Sequence, residues 1–304
     1  MDYKKIIKSK KARIKILHLL SGIPDKPMIS LQYYIKTGRR PDLKHPKRFT
    51  EKLQWLKLYY RDPLMAQCAD KYDVRQYITD TGLESILNEC YGVFDNPEDI
   101  NFDALPNSFV LKDTLGSGGD SMIIVEGKDM LDVNDALKRM REWVNYPINV
   151  KYPGREWVYD KKKHRIIVEK YIASNKSEGG LVDYKFFCFN GKPEYMYLIA
   201  DRVLGKSAGL AIYDMDFKRL PYLRADERRL ERNMKQPDNF AQMVEYAAKL
   251  SKPFPHARID FYDQGGKIIF GEITFFDGSG NMKYEPDEFD FIMGKDFSVE
   301  EIKR

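Results

Sequence analysis

The chain has 304 residues, with 51 Lys and Arg against 46 Asp and Glu, a net charge of +5 and 43% hydrophobic residues. That balance is ordinary for a soluble globular protein of one large or two small domains. No RNP motif, zinc-finger spacing or aromatic–basic repeat is present, which argues against a nucleic-acid partner.

Loose helical spacing of Ile6, Ile7, Ile14, Leu17 and Leu20 predicts a basic helix over 1–20, broken by Pro24 and Pro27. The apolar run 14–20 is too short and interrupted for a signal sequence or a membrane span. It leaves a packed helix, or a short amphipathic one touching an anionic surface. A second helix is expected over 30–36, stopped by Gly38. Thr50 is a candidate N-cap for the helix carrying Leu53, Trp55, Leu56 and Tyr59. Asp62-Pro63 opens another, with Leu64, Cys68 and Tyr72 at four-residue spacing and Asp70, Lys71 and Arg75 alongside.

From Asn88 the period changes. Strands are expected over 90–94, 108–112 and 121–125, the last two joined by Gly116-Ser117-Gly118-Gly119. Asp132 caps a helix to Asn145, and 165–171 is an apolar strand containing Glu169. Asn190-Gly191 joins strands 183–189 and 194–200 as a hairpin. Short strands around 210–213 and 220–223 follow, then a helix over 237–251 and an acidic tail over 285–290. Cys68, Cys90 and Cys188 are few, odd in number and far apart, which suggests reduced thiols in a cytoplasmic protein. The four histidines show no metal-ligand spacing.

The stretch 258–280 concentrates the chemistry. Two apolar arms flank Asp263-Gln264-Gly265-Gly266, a hairpin signal. If Ile259, Phe261, Ile269, Ile273 and Phe275 form the apolar face, the other face carries Arg258, Asp260, Glu272 and Thr274. This register requires a loop of odd length. Two carboxylates and an arginine on rigid strands form a candidate metal and phosphate site.

Upstream, Lys112 ends a strand that runs into the Gly/Ser loop. Glycines let backbone N–H groups approach phosphate oxygens, and the lysine adds a positive charge. It is not a P-loop, because no Gly-Lys-Ser/Thr follows. The strand containing Glu169 suits an adenine site read by the backbone of Lys170, Tyr171 and Ile172. Alternation puts Asp183 and Lys185 on one face, able to bind ribose hydroxyls and a phosphate. Asp214-Met215-Asp216 competes as the Asp-x-Asp of a nucleotide-sugar glycosyltransferase, although a turn accounts for it better.

In this order, FTEKLQW, ADKYDVR, FVLK, GSGG, IIVEKYI, DYKFFCFNGKP and ARIDFY…GEITF…GSG resemble the TupA-like ATP-grasp family over roughly 45–285. The resemblance implies an α+β ATP-grasp fold, with helices over 1–87, a lid subdomain over 88–172 and a large subdomain over 173–304. It implies an ATP-dependent carboxylate–amine ligase of teichuronopeptide or capsular polysaccharide biosynthesis. The acid would be a carboxylate-bearing sugar or polysaccharide, such as one with a uronic acid, and its partner an amine or amino acid. The enzyme would be cytoplasmic or peripheral at the inner membrane face.

By resemblance, Lys71 and Lys112 bind ATP phosphates and Gly116, Ser117, Gly118 and Gly119 close over them. Glu169, Lys170, Tyr171 and Ile172 form the adenine hinge, and Asp183 and Lys185 contact ribose and phosphate. Asp260, Glu272 and Thr274 hold Mg2+, with Asn281 in reserve, and Arg258 stabilises the acyl-phosphate. Thr274 stands where many relatives carry Asn.

Overall fold

The computed structural model describes residues 9–116, 121–173, 180–203, 207–300 and 302. Ser117, Gly118 and Gly119 of the expected lid, and 1–8 of the expected first helix, lie outside the described residues.

Helix α1 is Lys10–Leu19, capped by the Ser9 hydroxyl. Helix α2, Asp25–Thr37, starts earlier than expected and stops at Gly38, where φ is +78°. Pro24 and Pro27, which follow α1, sit before and within the first turn of α2, where a missing N–H costs nothing. Helix α3, Phe49–Tyr59, starts one residue before Thr50, so Thr50 is not its cap. Glu51 serves instead, accepting from the N–H groups of Lys47 and Arg48, both at 3.1 Å. The single helix expected after Asp62 is two, α4 (Pro63–Cys68) and α5 (Val74–Asp80). Asp70 separates them by accepting from Tyr72 N and Asp73 N at 2.8 and 3.0 Å.

An antiparallel four-stranded sheet follows, built from β1 (Cys90–Phe94), β2 (Phe109–Asp113), β3 (Met122–Val125) and β4 (Ile166–Lys170), in the order β1-β4-β2-β3. Phe109, Leu111, Ile123, Val125, Ile166 and Val168 pack against Ala136, Met140 and Trp143 of α6 (Val133–Val144). Strand alternation turns Val110, Lys112, Ile167 and Glu169 to the opposite face.

The second sheet draws on β5 (Asp183–Phe189), β6 (Lys192–Val203), β7 (Ser207–Asp214), β9 (Arg228–Arg229), β10 (His256–Gln264) and β11 (Lys267–Thr274), in the order β11-β10-β5-β6-β7-β9. A short ladder pairs β8 (Leu223–Arg224) with β12 (Tyr284–Glu285). Helix α7, Phe240–Ser251, packs on β5, β6 and β10. Helices α3 to α5 share one core with this large sheet, Phe49 meeting Phe187, Phe189, His256 and Phe297 edge-on. The expected acidic tail is a packed helix, α8 (Glu288–Lys295), with Phe289, Asp290 and Met293 buried.

The β10–β11 hairpin departs from the expected register. Its loop has two residues, Gly265 and Gly266, both at positive φ, and Gln264 pairs with Lys267. An even loop should separate Asp260 from Glu272. A bulge repairs this: Phe261 pairs with Phe270 and Asp260 with Glu272, leaving Gly271 as the extra residue. Ile268 and Phe270 therefore join Ile259, Phe261 and Ile273 in the core, and Ile269 moves opposite Tyr262. Glycine is needed there, since a Cβ on Gly271 would lie 3.0 Å from the Asp260 carbonyl oxygen.

Candidate active site

The bulge gathers the predicted residues around Arg258. Its guanidinium donates to both Asp260 oxygens at 2.8 and 2.7 Å, and to Glu272 Oε1 and Thr274 Oγ1 at 3.0 Å each. A further bond goes to Asp277. Lys185, on β5 beside β10, donates to Asp260 and lies 3.8 Å from Asp183, which also accepts from Arg202. Arg224 reaches Asp277 from β8 at 3.3 Å.

These charges set each other's titration. Burial works against the Arg258 cation, but Asp260 and Asp277 outweigh it and push its pKa well up. Burial works against charged Lys185 too, and Asp260 and Asp183 raise it on balance. Burial alone would raise Glu272; Lys185, Lys71 and Arg258 instead hold it at about 2. Its side chain is 40% exposed, so an anionic carboxylate faces solvent above a buried network of paired charges.

On the four-stranded sheet, Lys112 donates to Glu169 Oε2 at 2.7 Å, and Arg75 approaches Oε1 at 3.6 Å. Lys71 donates to the Gly116 carbonyl at 2.5 Å, and its own N–H bonds the Thr114 carbonyl at 2.9 Å. Lys71 thus ties the start of the Gly-rich loop to the helices while acting on Glu272 across the site. In the expected hinge, the Lys170 N–H is spent on the Glu89 carbonyl and its carbonyl on Asn88 Nδ2. The backbone groups of Lys170 are therefore already paired.

The TupA-like ATPgrasp family model matches residues 51–298. The chain belongs to the TupA-like ATP-grasp family.

Among solved structures, a D-alanine–D-alanine ligase from Bacillus anthracis is 20% identical, covering 69% of this chain and 57% of its own, with a TM-score of 0.44. The Helicobacter pylori D-alanine–D-alanine ligase is 13% identical, covering 83% and 68%, with a TM-score of 0.44. The ATP-grasp ligase PsnB, complexed with a phosphomimetic variant of its minimal precursor, Mg and ADP, is 12% identical, covering 98% and 74%, with a TM-score of 0.44. The chain spans little more than half the length of the first of these. No curated protein matches it.

This ATP-grasp chain offers Mg2+ only hard oxygen ligands, which suits that ion. Among the described residues no group of three His, Cys, Asp or Glu side chains is set to hold a metal. Arg258 and Lys185 engage both Asp260 oxygens, and the Thr274 hydroxyl lies between Arg258 and Glu272. Mg2+ usually completes its shell with water and substrate phosphate. On that basis half-exposed Glu272, whose Oε1 alone is bonded by Arg258 and Thr274, is the residue that would take the ion most readily.

Several site residues of the TupA-like chain escaped the sequence reading. Lys57 of α3, fully buried, donates to the carbonyls of Gly154 and Ser279 at 2.8 and 2.7 Å. Gln54, one turn earlier, donates to the carbonyls of Ser279 and Gly280 at 2.9 and 2.7 Å. Glu156 accepts from Ser279 Oγ at 2.5 Å. Together they hold the loop after β11, where Gly278, Ser279 and Gly280 are all left-handed. The available signal was a Gln and a Lys three apart on a helix otherwise rich in core residues.

Asn281, the reserve ligand, donates to the Ser279 carbonyl at 2.9 Å. Asp214 accepts from Asp216 N and Lys218 N at 3.1 and 2.8 Å, so the Asp-x-Asp is a turn closing β7.

Proposed function

We propose that this ATP-grasp protein is an ATP-dependent carboxylate–amine ligase. One observation carries the reading. Arg258 is locked among Asp260, Glu272 and Thr274 on one rigid sheet face and Asp277 of the loop that follows, beside Lys185 and within electrostatic reach of Lys71. Such a surface neutralises phosphate charge without reorganising at the moment of reaction.

A substrate carboxylate oxygen attacks the γ-phosphorus of ATP, and the bond to the β–γ bridging oxygen breaks, giving acyl-phosphate and ADP. The amine nitrogen then attacks the acyl carbon. Phosphate leaves with its bonding pair, and the amine loses a proton to solvent, giving the amide. Lys71, Lys112 and Lys185 neutralise the phosphates and Arg258 the tetrahedral oxyanion. Gly116, at the start of the Gly-rich loop, lies toward the phosphates. Glu169, Lys170, Tyr171 and Ile172 border the adenine, and Asp183 takes the ribose. Asp260, Glu272 and Thr274 would hold Mg2+, which supplies charge neutralisation at the phosphates.

The acid is a uronic acid of a capsular or cell-surface polysaccharide or its precursor, and the amine an amino acid. The work takes place in the cytoplasm, at the inner membrane face. Among the described residues no helix is long and apolar enough to cross a membrane.

The test is ADP release with candidate acids and amines, with calorimetry for binding. Mg-ATP binding and acid-dependent ADP release are expected, falling about a hundredfold or more in Lys112→Ala and Glu272→Gln. Binding of UDP-sugars but not ATP would refute the reading.

A further inference from the structure

We propose that α1 and α2 form a docking face for an anionic lipid surface. This gives a location to the membrane placement in the ligase reading. It rests on different observations, and vesicle binding is measured apart from ATP binding, so either can fail alone.

The first observation is charge. Residues 1–48 contain fourteen Lys and Arg against three Asp, a net +11. Since the chain totals +5, the other 256 residues carry −6. The positive charge is therefore segregated into the stretch of sequence that precedes the family-matched segment.

The second observation is apolar exposure in the same segment. Of eleven exposed large hydrophobic residues among those described, five are Ile16, Leu19, Leu31, Tyr34 and Ile35. Leu19 is 85% exposed and Tyr34 53%. On α1, Lys15, Ile16 and Leu19 share a side at helical spacing. On α2, Leu31, Tyr34 and Ile35 form an outward stripe, while Met28, Ile29 and Tyr33 bury the other. One helix with two apolar stripes has more apolar surface than its own core uses.

The third observation is anchorage. Arg155 donates to the carbonyls of Leu20, Ser21 and Ile23 at 2.8, 3.2 and 3.1 Å, and His18 Nε2 lies 3.0 Å from Tyr146 OH. These bonds seat the C-terminal end of α1 on the body of the protein and leave Lys15, Ile16 and Leu19 outward.

Charge and apolarity together select the occupant. A second copy would bring two regions of +11 together. A soluble polyanion would satisfy the lysines and arginines but leave Leu19, Leu31 and Tyr34 in water. An anionic bilayer accepts both: headgroups meet the cations, and the acyl boundary takes the apolar side chains.

The experiment is co-sedimentation of the full chain with phosphatidylcholine vesicles, with and without phosphatidylglycerol. Binding is expected only with phosphatidylglycerol, and to weaken about tenfold or more in high salt, in Leu19→Glu and in the double variant Leu31→Glu/Tyr34→Glu. These residues are exposed, and the urea unfolding midpoint checks that each variant is folded. Equal binding to both vesicle types, no binding, or binding unchanged by both variants overturns the proposal. So does a dimer in light scattering that Leu31→Glu dissociates, which would give the face to a second copy.

Discussion

Replacing Lys57 by Met tests how the loop after β11 is held. Met keeps the length of the stem, so no large cavity opens. It removes two bonds from a charged donor, to Gly154 O and Ser279 O, and leaves buried Glu156 without its nearby cation. Such bonds are worth about 1.5–3 kcal/mol each, so the gross loss is about 3–6 kcal/mol. Against this, burial lowers the Lys57 pKa from 10.5 to about 8. That drop corresponds to about 3 kcal/mol of charge penalty, which Met relieves at neutral pH. The net destabilisation at pH 7 is then about 0–3 kcal/mol.

Between about pH 8 and 10.5 the unfolded wild-type chain binds a proton at Lys57 that the folded chain does not, so this lysine's contribution to stability rises with pH. Met has no such term, and the deficit of Lys57→Met should widen by up to about 3 kcal/mol across that window. Urea unfolding of both proteins at pH 7 and pH 10, followed by tryptophan fluorescence, measures it. Parallel pH profiles would refute the reasoning, since they would mean that Lys57 titrates normally inside the protein.

Gly271→Val should destabilise the fold by about 1–3 kcal/mol, because its Cβ would press on the Asp260 backbone. ADP release should fall as Asp260 and Glu272 lose their pairing, while Mg-ATP calorimetry and the urea midpoint separate the two effects. Asp214→Ala removes the acceptor of two turn N–H groups and should cost about 1 kcal/mol in the urea midpoint. ADP release should stay at the wild-type rate; its loss would return Asp214 to the active site.

Local chemistry made much of this protein readable. Asn190-Gly191 and Gly265-Gly266 announce their hairpins because they accept the positive φ that such turns require. Alternation placed Arg258, Asp260, Glu272 and Thr274 on one face. The bulge was hidden, because parity alone does not distinguish an odd loop from an even loop plus one extra strand residue. The partners of Lys57 lie 97 and 222 residues away along the chain, and no local pattern announces such a distance. The acidic stretch before α8 looked like a solvated tail because charge dominates it. Its buried Asp290 is satisfied by Thr50, 240 residues earlier, while Phe289 and Met293, four apart, were the overlooked apolar stripe.

The match to the family model begins at residue 51, yet the folded body begins before it. Glu51 caps α3 only because the chain from Asp42 to Arg48 wraps back to offer its N–H groups. Phe49 fills the space between Phe187, Phe189 and Phe297, and the Tyr33 hydroxyl, from the middle of α2, closes the bond to Thr50 at 2.9 Å. A fragment cut at the edge of recognisable descent would begin inside a hydrophobic core and cut away one wall of it. What is inherited as a family and what folds as a body are therefore different lengths of chain. The leading helices belong to the body, even though the family pattern does not reach them.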